Sequence, residues 1–183
     1  MAYFSSKDIA IIAMASALWG VLNWLFSPIF FRMTRLPFLC DLIGFSSLSF
    51  AVWWVRKIGT ASIVGLLATI INFALNPSAL HFLGFTAASM AFDLITYVVG
   101  YESEFSGKVR TLISVVGSSV VSAAIAGLII GSFFMSPSDL ARWGGTSGWA
   151  GLHAIGGIFG GAVGTLIIES LRLRGIAPKV AGK

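Results

Sequence analysis

Residues 9–26 read IAIIAMASALWGVLNWLF, eighteen positions with no charged side chain and no proline. At about 1.5 Å of rise per residue a helix of that length is about 27 Å long, close to the hydrocarbon thickness of a bilayer. The run predicts a transmembrane helix and the rest of the chain agrees with it. Charged residues make up 10% of the 183 positions and hydrophobic ones 57%, whereas a soluble domain carries about 25% charged residues. With a mean hydropathy of +0.92, the chain reads as an all-α integral membrane protein, and its length suits about six spans in one domain.

The first span has unlike faces. Ala10, Ala13, Ala17 and Gly20 recur at helical spacing, and Trp24 ends the same stripe. Between helices in lipid there is no hydrophobic drive, so small residues at i and i+4 mark places where another helix packs closely. The Ala13/Ala17 side is expected to dock onto a neighbour. No small-residue cleavage site follows the apolar run, so the span is expected to be retained rather than removed as a signal peptide.

Six apolar segments are expected, at about 9–27, 38–55, 60–75, 79–100, 109–135 and 148–171. Ser27-Pro28 is expected to end the first, and residues 29–37, with Arg32 and Arg35 among aromatics, to form an interfacial segment. Arg56-Lys57-Ile58-Gly59 and Asn76-Pro77-Ser78 read as turns, because proline fixes φ and Asn caps chain ends. With six spans both termini share a side. That side would hold Lys7, Arg56, Lys57, Lys108, Arg110, Arg172, Arg174, Lys179 and Lys183, against Arg32, Arg35 and Arg142 on the other. Retention of basic residues inside then makes both termini cytoplasmic in a multi-pass cell-membrane protein, and accounts for the net charge of +5 without nucleic acid.

Ionisable groups within a bilayer are expensive and usually face the bundle interior. In the fourth span Thr86, Ser89, Asp93 and Tyr97 form a polar arc, and in the fifth Thr111, Ser114, Ser118 and Ser122 form another. These hydroxyls either bond their own i−4 carbonyls or line a partly polar interior. Asn72 shares a face with Ala61, Gly65 and Ala68, and is expected where another helix comes close. In the last span Trp149, His153, Gly156, Gly160 and Gly164 share one face. The glycines imply close packing, and above that floor Trp149 and His153 are placed to line a cup open to the outside. A single hydrogen bond from His153 to a neighbouring carbonyl, or interfacial anchoring by Trp143 and Trp149, is the plainer alternative.

Motifs narrow the chemistry. There is no GxxxxGK[ST] phosphate loop, no HExxH and no cluster of Cys and His; Cys40 is the only cysteine, so no cofactor, metal or internal disulfide is expected. Gly145-Thr146-Ser147-Gly148 followed by His153 resembles the serine and histidine elements of rhomboid proteases. On one helix, however, six residues put Ser147 and His153 about 240° and roughly 9 Å apart, out of reach for proton transfer. The chain is therefore not expected to be an enzyme; His81, at the mouth of the fourth span, is the only other histidine and keeps that reading as a remote alternative.

Six short spans, an inside N-terminus, the Ala13-x-x-x-Ala17 pattern and the run from Gly59-Thr60-Ala61 to Asn76-Pro77-Ser78 resemble the substrate-binding S component of an energy-coupling factor (ECF) transporter, closest to the thiamine/hydroxymethylpyrimidine class. The resemblance implies a subunit that captures a small vitamin or vitamin precursor from outside. It also implies that the Ala13/Ala17 face packs on a transmembrane T component driven by two ATPases, which fits the missing phosphate loop. The cup would then be formed by Trp24, Asn72, Asn76, His81, Trp149 and His153, with Arg32, Asp139, Arg142 and Trp143 in the lid loops. Few polar groups among aromatics suit a flat heteroaromatic ligand, and for a cationic one Asp41, Asp93 or Asp139 would supply the counter-charge. A stand-alone small transporter or channel-like protein is the alternative function, and an assembly protein of a membrane complex a further one.

Overall fold

The computed structural model describes residues 3–178. Within them the chain is helical: α1 (Ser6–Thr34), α2 (Phe38–Val55), α3 (Thr60–Leu75), α4 (Phe82–Val99), the short α5 (Tyr101–Glu104), α6 (Lys108–Phe133), the short α7 (Pro137–Ala141) and α8 (Gly145–Leu173), with no strand among the described residues. Five of these, α1, α2, α4, α6 and α8, are long and apolar enough to cross a membrane. Apolar α3 has 16 residues, about 24 Å at helical rise. Exposed Leu, Ile, Val, Met and Phe side chains cover the outside of the bundle, as expected of a multi-pass membrane protein facing lipid.

The long helices close a ring in which α1 packs on α2 and α3, α3 on α4, α4 on α6, α6 on α8, and α8 on α2. α8 makes its two closest approaches through glycine. A Cβ on Gly157 or Gly161 would collide with α6 at Ser119, Ala123 or Val116, and one on Gly160 or Gly164 with α2 at Asp41, Phe45 or Ser49. With no side chain on either flank, both neighbours contact its backbone, the arrangement that favours helix association in lipid.

α2 and α3 occupy the ranges expected from sequence; the other boundaries move. α1 begins at a capping box, with the Ser5 hydroxyl accepting from the Asp8 N–H and the Asp8 carboxylate accepting from the Ser5 N–H. It does not stop at Ser27-Pro28 but runs through Pro28 to Thr34, ending where Arg35 turns left-handed at φ 61°. The Ser27 hydroxyl there donates to Asn23 Oδ1 within the same helix. The segment expected to be interfacial is thus mostly two further turns of α1. The expected turn at 76–78 is an Asx turn, with Asn76 Oδ1 accepting from the N–H and the hydroxyl of Ser78. α4 begins three residues late because 79–81 form tight turns, the N–H of Phe82 donating to the Ala79 carbonyl at 3.0 Å and that of Gly84 to the His81 carbonyl at 3.0 Å.

The small-residue stripe of α1 divides. Ala10, Ala13 and Ala17 are exposed, whereas Gly20 is buried against Ile71 of α3. Beside it Asn72 Nδ2 donates to the Gly20 carbonyl at 3.2 Å and to the Ala68 carbonyl at 3.0 Å, tying α1 to α3.

The end of the bundle holding the start of α1 is laced by ion pairs. Lys57 meets Asp8 at 2.7 Å and Arg56 meets Glu102 at 2.8 Å. Arg172 donates to Glu169, to the Thr111 hydroxyl and to the Phe105 carbonyl. Lys179 and Lys183, used above to orient the chain, lie outside the described residues.

Candidate functional site

A cavity of about 400 Å³ opens at the other end of the bundle, among the ends of five helices. The last turns of α1 give Ser27, Pro28, Phe31 and Arg35; the start of α2 gives Cys40; the start of α4 gives His81 and Phe85. Phe134, Met135, Asp139, Arg142 and Trp143 come from the end of α6 and the connection that contains α7, and Trp149 and His153 from the first turns of α8.

Its walls are aromatic. Phe31 and Trp143 each pack against Trp149, at 6.4 and 6.3 Å between ring centroids, and Trp149 stands edge-on to His153 at 5.3 Å. Phe85 completes the wall on the other side of His153, at 5.7 Å.

Behind the lining lies a buried carboxylate–imidazole pair. His153 Nδ1, on a side chain that lines the cavity, lies 2.9 Å from Asp41 Oδ1, with both side chains almost fully enclosed. That hydrogen bond fixes the orientation of the ring. Asp41 has room there because Gly156 faces it without a side chain. Two ring nitrogens of the cavity's own side chains, His153 Nε2 and Trp149 Nε1, are buried with no protein partner. Both atoms are enclosed by the protein itself, as are the equally unpartnered indole nitrogens of Trp19 and Trp53 elsewhere in the bundle. His81, just outside α4, is held neutral at physiological pH: burial first, and then the nearness of His153, lower its imidazole to about 4.

Of the residues named for the cup, its lid and its counter-charge, six line this cavity: His81, Asp139, Arg142, Trp143, Trp149 and His153. The others do not. Trp24 is 41% exposed on the outer face of α1, because the α1 face that turns inward is the one carrying Trp19, Asn23 and Ser27. Asn72 is spent on the α1–α3 contact, and Asn76 on its turn. Asp93 sits deeper, where its Oδ2 accepts the N–H and hydroxyl of Ser62 on α3. It joins two helices rather than lining the cup. In the same arc Thr86 meets Thr69 of α3 at 2.6 Å and Ser89 donates to the Phe85 carbonyl, while Tyr97 is 54% exposed. Arg32 is exposed and lies outside the cavity lining.

Sequence reading missed Phe31, Arg35 and Phe85, and set Asp41 aside as a counter-ion without naming His153 as its mate. The available signal was that Asp41 and His153 are the two ionisable groups at the same depth of apolar helices, and such groups pair. Ser147 is exposed in the first turn of α8 and does not reach the cavity. No group of three or more His, Cys, Asp or Glu placed to hold a metal occurs among the described residues. No family profile, curated protein or solved structure matches the chain.

Proposed function

We propose that the protein is a membrane-embedded substrate-capture subunit, of the kind found in ECF transporters, that takes up a small vitamin or vitamin precursor at the cell membrane. The cavity carries this reading: about 400 Å³ of aromatic-walled space at one end of the bundle, lined by His81, Trp149 and His153 and rimmed by Arg35, Asp139 and Arg142. Pockets for small ligands are typically of this kind, mostly apolar with a few placed polar groups. In this reading α3 is the sixth crossing and the basic excess lies at the end opposite the cavity, so both termini are cytoplasmic and the cup faces outward. Ala13 and Ala17, exposed on α1, form the docking face for a transmembrane T component with its ATPases.

Two measurements on the purified protein test it. Mass spectrometry of compounds carried through purification should find a small molecule bound one to one, and that compound should raise the thermal midpoint. Ala13→Trp should abolish ATP-driven uptake in reconstituted vesicles and leave binding intact. A protein that carries no compound and is stabilised by no B vitamin or precursor is not a capture subunit; transport by the chain alone, without ATPases, makes it a self-sufficient carrier.

A further inference from the structure

We infer that the cavity selects a flat aromatic carboxylate, its ring among Trp149, Phe31 and Phe85, and its negative charge between Arg35 and Arg142. The inference rests on the capture reading and adds the sign of the ligand's charge.

The charged groups of the cavity decide that sign. A cationic ligand needs a free carboxylate. Asp41 is closed off beneath His153 and against Gly156. Asp93 lies outside the lining, bonded to Ser62. Asp139, at the rim, accepts the Ser136 hydroxyl at 2.7 Å, while that hydroxyl caps α7 by accepting the Asp139 N–H; it is one carboxylate against two arginines in the lining. The two cations of the rim are differently placed. Arg35 and Arg142 both line the cavity, and neither forms an ion pair among the described residues. Arg35 is held at the mouth by the left-handed turn that ends α1, and Arg142 by the turn after α7. Guanidinium groups bind carboxylates with paired hydrogen bonds, the strongest contact a rim of this kind offers.

The interior sets the rest of the ligand. The aromatic walls favour a planar body over an aliphatic chain through edge and stacked contacts.

The test uses three bicyclic probes of one size: quinoline-3-carboxylate, quinoline-3-carboxamide and 1-methylquinolinium, titrated into the purified full-length protein while tryptophan fluorescence is read. The carboxylate should bind at least about ten-fold tighter than the other two, a difference of about 1.4 kcal/mol. In Arg35→Gln/Arg142→Gln that preference should shrink to about three-fold or less, with the thermal midpoint of the free protein unchanged because both side chains are exposed. Equal binding of the three probes, preference for the amide or the cation, a ratio unmoved by the arginine changes, or binding of none of them overturns the charge assignment. The capture reading fails separately, by the absence of any compound carried through purification.

Discussion

Gly156 faces Asp41 so closely that a Cβ on the glycine would overlap the carboxylate, while His153, one turn earlier on α8, holds the other oxygen of the same group at 2.9 Å. One helix thus presents a bare backbone and an imidazole to one buried acid. Gly156→Ala must push Asp41 off His153 or open the α2–α8 contact. Overpacking of this kind costs about 1–3 kcal/mol. A lower thermal midpoint is expected in detergent, together with weaker ligand binding. Gly151→Ala is the control: a Cβ there meets nothing within 4 Å, and gaining a helix-favouring residue should hold the midpoint or raise it.

The Asp41–His153 pair should behave as a unit. Removing one partner leaves an uncompensated polar or charged group in a low-dielectric interior, which costs about 3–5 kcal/mol. Asp41→Asn and His153→Gln should each be strongly destabilising, and the double variant much less so than the sum. A double-mutant cycle on unfolding free energies measures the coupling; additive effects would mean that the two side chains do not depend on each other.

At the opposite end, Glu104 is fully enclosed and neither of its carboxylate oxygens has a hydrogen-bond partner. The nearby Arg172 is committed to Glu169, Thr111 and the Phe105 carbonyl. Burial pushes the Glu104 carboxyl up to about 8 from an ordinary 4.5. The folded protein therefore holds a proton that the unfolded chain releases across that window, and its stability falls as pH rises through it. Glu104→Gln should match the parent near pH 4.5 and exceed it increasingly up to about pH 8. Thermal midpoints across pH 4.5–9 check this, and parallel profiles for the two proteins would refute it.

Asn72 ties two helices through Gly20 and Ala68. Asn72→Ala should cost about 1–3 kcal/mol, the usual penalty for leaving a buried carbonyl without its donor. Because Asn72 lies away from the cavity, ligand affinity measured well below the melting temperature should be unaffected. A change in affinity without a change in stability would place Asn72 in the site.

Apolar run length was enough to locate the six longer helices, while the four-residue α5 and five-residue α7 left no such mark. Boundaries slipped where local chemistry competes. Pro28 lacks an N–H yet sits within α1, and the tight turns after Asn76 put the start of α4 three residues beyond the expected one. Within the site, helical period placed Trp149 and His153 above their glycines, because one face of one helix is a local property. It did not reveal which neighbour each face meets. Asn72 and Asp93 were rightly sensed as interior groups, but their partners, Gly20 and Ser62, are fixed by helix arrangement. The same holds for Asp41, whose mate lies 112 residues further along the chain.

That separation bears on how the protein is made. α2 enters the membrane with its acid while α8 has yet to be synthesised, so the carboxylate has no mate until α8 arrives. A chain released by the ribosome before residue 153 keeps an unanswered acid in lipid, a cost that a chain carrying α8 escapes.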